Sequence, residues 1–148
     1  MTNVTPPWAY TLQLPRDPRA PGVARTTLRA VLDSHGLAEL ADSAELLTSE
    51  LVTNAYLHSL GTYTLRLREM APGRLRVSVW DTNPEIPAPF RDQRVPLAVP
   101  DTDETGRGLF LVGACAERWG AYELGDGMGG GAGKLLWAEC GRSTWATR

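Results

Sequence analysis

Cysteine is scarce in this chain. Cys115 and Cys140 are the only two in 148 residues. Their placement matches no metal-ligand or disulfide spacing, so each reads as a buried, inert thiol, reduced in a cytoplasmic setting. Long apolar runs are missing as well: none approaches the roughly 18 residues that a membrane-spanning helix needs. Clusters of Lys and Arg are missing, the net charge is -2 and the sequence pI is about 5.7. That balance argues against nucleic acid as a direct partner. The opening stretch MTNVTPPWAYTLQLPRD has no basic start followed by an apolar core, and so does not read as a secretory signal. Internal repeats and a second domain break are also absent. With 43% hydrophobic and 22% charged residues, the composition is that of one soluble globular domain over residues 1–148, long enough to bury a real core.

The apolar pattern that is present divides into elements. Trp8, Tyr10, Leu12 and Leu14 alternate with Ala9, Thr11 and Gln13, which is strand period. The two aromatics at its start either enter the core or seed a dimer. After a Pro- and Arg-rich break at 15–22, Ala24, Leu28 and Val31 form the stripe of a helix that runs to about Asp33 and ends at His35-Gly36. A second helix is predicted from about Asp42 to His58, capped by Asp42 or Ser43 and terminated by Gly61. Its buried stripe is Ala44, Leu47, Leu51 and Ala55.

Two alternating segments, Tyr63 to Arg68 and Leu75 to Trp80, flank Ala71-Pro72-Gly73-Arg74 and read as an antiparallel hairpin. Residues 82–105 then hold five of the eleven prolines and neither helix nor strand period. A segment that long is either a functional lid or a disordered insertion. Gly106-Arg107-Gly108 opens a third helix with Leu109, Val112 and Ala116 on one face. Strands follow at Trp119 to Leu124 and Lys134 to Cys140, separated by six glycines in the nine residues from Gly125 to Gly133. The fold class that results is α/β (α+β): a two-layer sandwich with helices on one face of a mixed, mostly antiparallel sheet.

Several residues carry chemistry suited to a nucleotide. Glu50 and Asn54 lie four apart on the second helix, which stacks a carboxylate beside a carboxamide on one face. Asn54 can offer magnesium one amide oxygen, and magnesium otherwise keeps waters and phosphate oxygens. Asp81, at a strand end, can accept a hydrogen bond from an exocyclic amine such as that of adenine, or simply start a turn. Gly106-Arg107-Gly108 at a helix start can expose backbone N–H groups to phosphate, or simply cap the helix.

Taken in order, ELVTNA, VWDTNP, ETGRGLFLV and GGGAGKLLWAE resemble the nucleotide boxes of the GHKL ATPase superfamily. The short form of the chain is most similar to the anti-sigma-factor serine/threonine kinases of actinobacteria and their regulatory relatives. The resemblance covers nearly the whole chain. It implies a Bergerat-type fold that holds ATP with Mg2+ between the second helix and a lid at about 82–105. It also implies roles: Glu50 as general base, Asn54 as magnesium ligand, Asp81 as the adenine-binding carboxylate, Gly106 and Gly108 near the phosphates, and Arg107 and Lys134 as further nucleotide contacts. The implied activity is phosphoryl transfer to a serine or threonine of an antagonist protein. The implied partners are a sigma factor, an anti-anti-sigma protein and a second copy of the chain. A nucleotide-dependent binding module without turnover is the alternative.

Three positions depart from the superfamily pattern. Asp81-Thr82-Asn83-Pro84 stands in place of Asp-x-Gly-x-Gly. Glu104 stands where some family kinases carry Arg, a role that Arg107 could take over. Leu135 stands where relatives often have Thr, after a Lys134 that can also be read as a strand-end cation.

Overall fold

A computed structural model describes residues 7–91, 115–125 and 132–142. In chain order the elements are β1 (Ala9–Leu14), α1 (Ala20–Ser34), a 3-10 turn (Ala38–Leu40), α2 (Ala41–His58), β2 (Tyr63–Ala71), β3 (Arg74–Asp81), α3 (Ala88–Arg91), β4 (Arg118–Leu124) and β5 (Gly133–Gly141). The strands form one sheet in the order β1-β2-β3-β5-β4. All four pairings are antiparallel. This corrects the expectation of a mixed sheet, since no strand pair among the described residues runs parallel.

Helix α1 buries Ala20, Ala24, Leu28, Val31 and Leu32, the stripe its sequence predicts. It closes at Gly36, whose φ of 70° is a conformation that costs glycine little. The Leu37 N–H reaches back to the Leu32 carbonyl at 2.8 Å and satisfies one of the helix-end acceptors. Helix α2 starts differently from its predicted cap. The 3-10 turn runs directly into it, Leu40 stands at the N-cap with helical backbone, and no side chain caps the end. Asp42 instead lies in the first turn, where its charge opposes the helix dipole favourably. The other end of α2 is also set by a residue other than the expected one. Ser59 turns extended (φ -76°, ψ 152°), two residues before Gly61, and its hydroxyl accepts the Gly61 N–H at 3.2 Å.

The hairpin β2–β3 turns through Pro72-Gly73, with Gly73 at φ 78°. On the helix-covered face, Leu65, Leu67, Leu75, Val77, Val79, Leu136, Ala138 and Cys140 are buried. They meet the α2 stripe of Ala44, Leu47, Leu51 and Ala55, each of which is fully inaccessible. Burial pushes the Cys140 thiol up to about 12, which leaves it protonated and unreactive.

The opposite face carries Arg76, Trp137 and Glu139. The Arg76 guanidinium stacks 4.1 Å from the Trp137 ring and pairs with Glu139 at 2.5 Å. Gly120 makes room for that ring, since a Cβ there would lie 2.8 Å from it. The two N-terminal aromatics do not go to the centre of the core. Tyr10 is 43% exposed, its hydroxyl hydrogen-bonds His35 Nε2 at 2.8 Å, and the Trp8 ring stacks on His35 at 4.3 Å. Trp8 packs only partly against the core.

Leu51→Ala removes three buried carbon atoms at the middle of α2 and is expected to destabilise the fold by about 3 kcal/mol. Leu60→Ala, at a position 86% exposed, is expected to change stability by less than about 0.5 kcal/mol. Urea denaturation of both variants checks the difference.

Candidate nucleotide site

Two parts of the fold converge on this region, and α2 supplies the first. Glu50, Asn54 and His58 follow one another at four-residue intervals along one side of the helix. Asn54 is buried, and its Oδ1 is enclosed with no hydrogen-bond partner. Native interiors rarely leave such an oxygen unsatisfied, so it stands ready for a donor or cation that the described residues do not provide. Glu50 is half-buried, and desolvation by burial raises its carboxyl above the ordinary range. It also borders an open groove of about 290 Å³ between α1 and α2, lined with Arg25, Asp42, Glu45, Leu46 and Ser49. That groove includes neither Asn54 nor Asp81.

The second part is the meeting of β3 and β5. Asp81 and Lys134 are direct cross-strand partners, both on the helix-covered face. The Lys134 ammonium donates to Asp81 Oδ1 at 3.0 Å, and the two side chains are only 1% and 2% accessible. Lys134 also donates to the Asn83 carbonyl at 3.0 Å, and the Asn83 N–H donates to the same Asp81 Oδ1 at 2.8 Å. Gly133 permits this closeness, because a Cβ there would fall 2.4 Å from the Asp81 carbonyl oxygen. A side chain at 133 would push β5 off the end of β3.

Asn83 joins the two parts. Its side-chain amide donates to the His58 carbonyl at the end of α2, at 3.0 Å. Its Oδ1 accepts the Glu85 N–H, also at 3.0 Å. Nearby, the Leu60 N–H reaches the Thr82 hydroxyl at 3.3 Å. The turn that lacks the superfamily's glycines is thus built from successive side-chain-to-backbone bonds of the kind Asp and Asn make in tight turns. Asn54 precedes His58 by one helical turn, about 6 Å along the axis. The unsatisfied amide and the Asp81 carboxylate therefore flank one joint.

The structure brings together Asp81 and Lys134; Asn54 lies one turn before His58, whose carbonyl holds Asn83, and Glu50 lies one turn further back along α2. Gly106, Arg107, Gly108 and Glu104 lie outside the described residues, as do the third helix up to 114 and most of the expected lid. The described start of that lid contains a short helix, α3, which the irregular proline pattern had not predicted. Phe90 within α3 is buried in the core, and Trp119 Nε1 donates to the Pro89 carbonyl at 3.2 Å. Leu135 pairs with Trp80 on the sheet face away from Asp81, so the hydroxyl it replaces would not have faced this carboxylate.

Asn83 and Gly133 were not recognised from sequence as site-building residues. Their signals were an Asn-Pro step at a strand end and a glycine immediately before a lysine. A magnesium ion fits the donors present: the orphaned Asn54 Oδ1 is a hard oxygen, and magnesium takes few protein ligands of that kind beside phosphate.

A helix carrying an acid and an amide, packed across an antiparallel sheet whose central strand ends in a buried carboxylate, defines a class. The family model for the histidine kinase-like ATPase domain matches residues 14–132, and the chain belongs to that family of GHKL-type ATP-binding domains. Over 63 residues it is also 41% identical to an uncharacterized protein of Streptomyces coelicolor, an alignment that covers 43% of this chain and 55% of that protein. The matched part therefore spans about half the relative's length.

Because burial raises the Glu50 carboxyl, the folded chain holds that proton more tightly than the unfolded chain does. Stability falls as pH rises from the ordinary carboxylate value through the raised one, and stays lowered above it. Glu50→Gln is therefore expected to be more stable than the wild type at neutral pH, with the gap closing towards about pH 4. Urea midpoints at the two pH values test this, and an unchanged gap would contradict it.

Proposed function

We propose that this protein is an ATP-dependent regulatory serine/threonine kinase that also acts as an anti-sigma factor. The observation that carries the reading is the buried Oδ1 of Asn54, unpartnered among the described residues, one helical turn from Glu50 and one from His58, whose carbonyl holds Asn83. Asp81 accepts a hydrogen bond from the exocyclic amine of adenine, which sets the base end of the nucleotide. Asn54 would hold magnesium, which when bound neutralises phosphate charge. Glu50 accepts the proton of the attacking serine or threonine hydroxyl. Its desolvated carboxylate is a stronger base than a free one, which supports that role. Orienting the hydroxyl towards the γ-phosphoryl does the rest of the work in this class of reaction. Gly106, Arg107 and Gly108 are proposed phosphate contacts.

The substrate is an anti-anti-sigma protein, the sequestered partner is a sigma factor, and the working form is a cytoplasmic homodimer. Residues 1–148 act as one domain with a lid at about 82–105. These assignments rest on the motif resemblance. A second reading keeps the nucleotide and drops the turnover: a partner-switching module that responds to ATP. It is favoured by Glu104, an acid at a position where some family kinases place an arginine.

ATP with magnesium at a hundredfold excess over Kd is expected to stabilise the protein by about 2.7 kcal/mol and to raise Tm by about 5–10 °C. Asn54→Ala is expected to lose the magnesium-dependent part of that rise. Absence of any shift at millimolar ATP would overturn both readings. With γ-labelled ATP and an anti-anti-sigma protein, the kinase reading expects label on the partner and a loss of about a hundredfold or more in Glu50→Ala. Equal transfer by the two proteins would remove Glu50 as the base, and no transfer by either would favour the binding module.

A further inference from the structure

We infer that Lys134 is a positioning residue for base recognition: it holds Asp81 so that a single carboxylate oxygen is presented to the nucleotide base. The inference rests on the ATP reading above and concerns how that site tells one base from another.

Lys134 is the only lysine of the chain, whose other cationic side chains of this kind are all arginine. A lysine ammonium is a compact point donor, whereas the guanidinium is a broad planar fork. The space here suits the former, since the Lys134 side chain is 1% accessible and Gly133 presses on the Asp81 backbone. The ammonium makes two bonds of 3.0 Å, one to Asp81 Oδ1 and one to the Asn83 carbonyl. With the Asn83 N–H, Oδ1 already accepts two hydrogen bonds. Oδ2 accepts none among the described residues. Rotating the carboxylate would break both Oδ1 bonds in a dry site, where unpaired polar groups are costly.

The cross-strand register makes this arrangement part of the sheet. Asp81 and Lys134 face each other in the β3–β5 ladder, so the register itself sets the lysine beside the carboxylate. Lys134 is therefore directed at the base end of the site, and the oxygen it leaves over is an acceptor alone. An adenine amine donates to such an oxygen. The carbonyl oxygen that hypoxanthine carries at the same ring position is repelled by it.

The test compares ATP with ITP, which differ at that ring position, by calorimetric titration of the wild type and Lys134→Met, with circular dichroism to show that the variant is folded. The wild type is expected to favour ATP by about tenfold or more, roughly the worth of one hydrogen bond. Lys134→Met is expected to bring the two nucleotides to within about threefold, through weaker ATP binding with ITP little changed. A folded variant that loses affinity for both equally and keeps its preference would overturn the inference, since that is the behaviour of a residue that only supports the fold.

If the variant does not fold, the wild type still decides. With 15N-labelled lysine it has one Nζ signal. That signal is expected to move with ATP and to stay in place with ITP. Nucleotide binding that leaves it unmoved, or moves it equally with both, overturns this inference alone. Binding of neither nucleotide overturns the ATP reading with it.

Discussion

The antiparallel pairing of β3 with β5 is the contact on which the rest of the molecule depends. Its helix-covered face gives α2 the surface that buries Leu47, Leu51 and Ala55. Its far end opposes Asp81 to Lys134. One ladder therefore serves both the core and the site. The apolar part is non-directional and tolerant of small shifts, but the buried ion pair at the end is not. Two charges this deeply enclosed stay only where each finds its hydrogen bonds, and the pair meets that demand only in this register. The site geometry thus also fixes how the central strands align.

Joining the helix to the sheet end is a separate problem, and Asn83 solves it. A glycine turn reaches tight conformations through backbone freedom. The segment Asp81-Thr82-Asn83-Pro84 reaches its conformation through side-chain acceptors, and Pro84 restricts the backbone that follows. The outcome is a stiffer joint between α2 and β3, with Asn83 bonded to the His58 carbonyl on one side and to the Glu85 N–H on the other. The departure from the glycine pattern in sequence is, in the fold, a corner held by side-chain hydrogen bonds.

Much of the framework was legible before the structure. The stripes of α1 and α2, the β2–β3 hairpin and the last two strands each have a clear period, because each has one buried face. The helix termini were less legible. Asp42 and Ser43 have the right side chains for a cap, but the 3-10 turn before them supplies the entry, and propensity gives no sign of it. Gly61 looked like a terminator, and Ser59 ended the helix because its hydroxyl had a local backbone donor to accept. Strand direction could not be read from alternation, which is the same for parallel and antiparallel partners, so the antiparallel pairing of all the described strands emerged only with the register. At the site, Glu50 with Asn54 was visible as a spacing. The destination of Lys134 was not, because it depends on a partner 53 residues away. The tilt of Tyr10 towards His35 was hidden for a similar reason: a strand's alternation says which side a residue faces, not whether the layer beyond extends far enough to cover it.

That separation of 53 residues also bears on how the chain acquires its site. The β2–β3 hairpin and the α1–α2 pair join segments near in sequence and close small loops. The β3–β5 ladder closes a large one, and loop closure precedes any contact that rewards it. The carboxylate at the end of β3 must therefore wait, without its cation, while the local units assemble. It completes its hydrogen bonds only when the far strand docks. The buried ion pair is in this sense a late product of folding, and a chain whose β5 has not yet arrived has a helix and a hairpin but an unpaired carboxylate at Asp81.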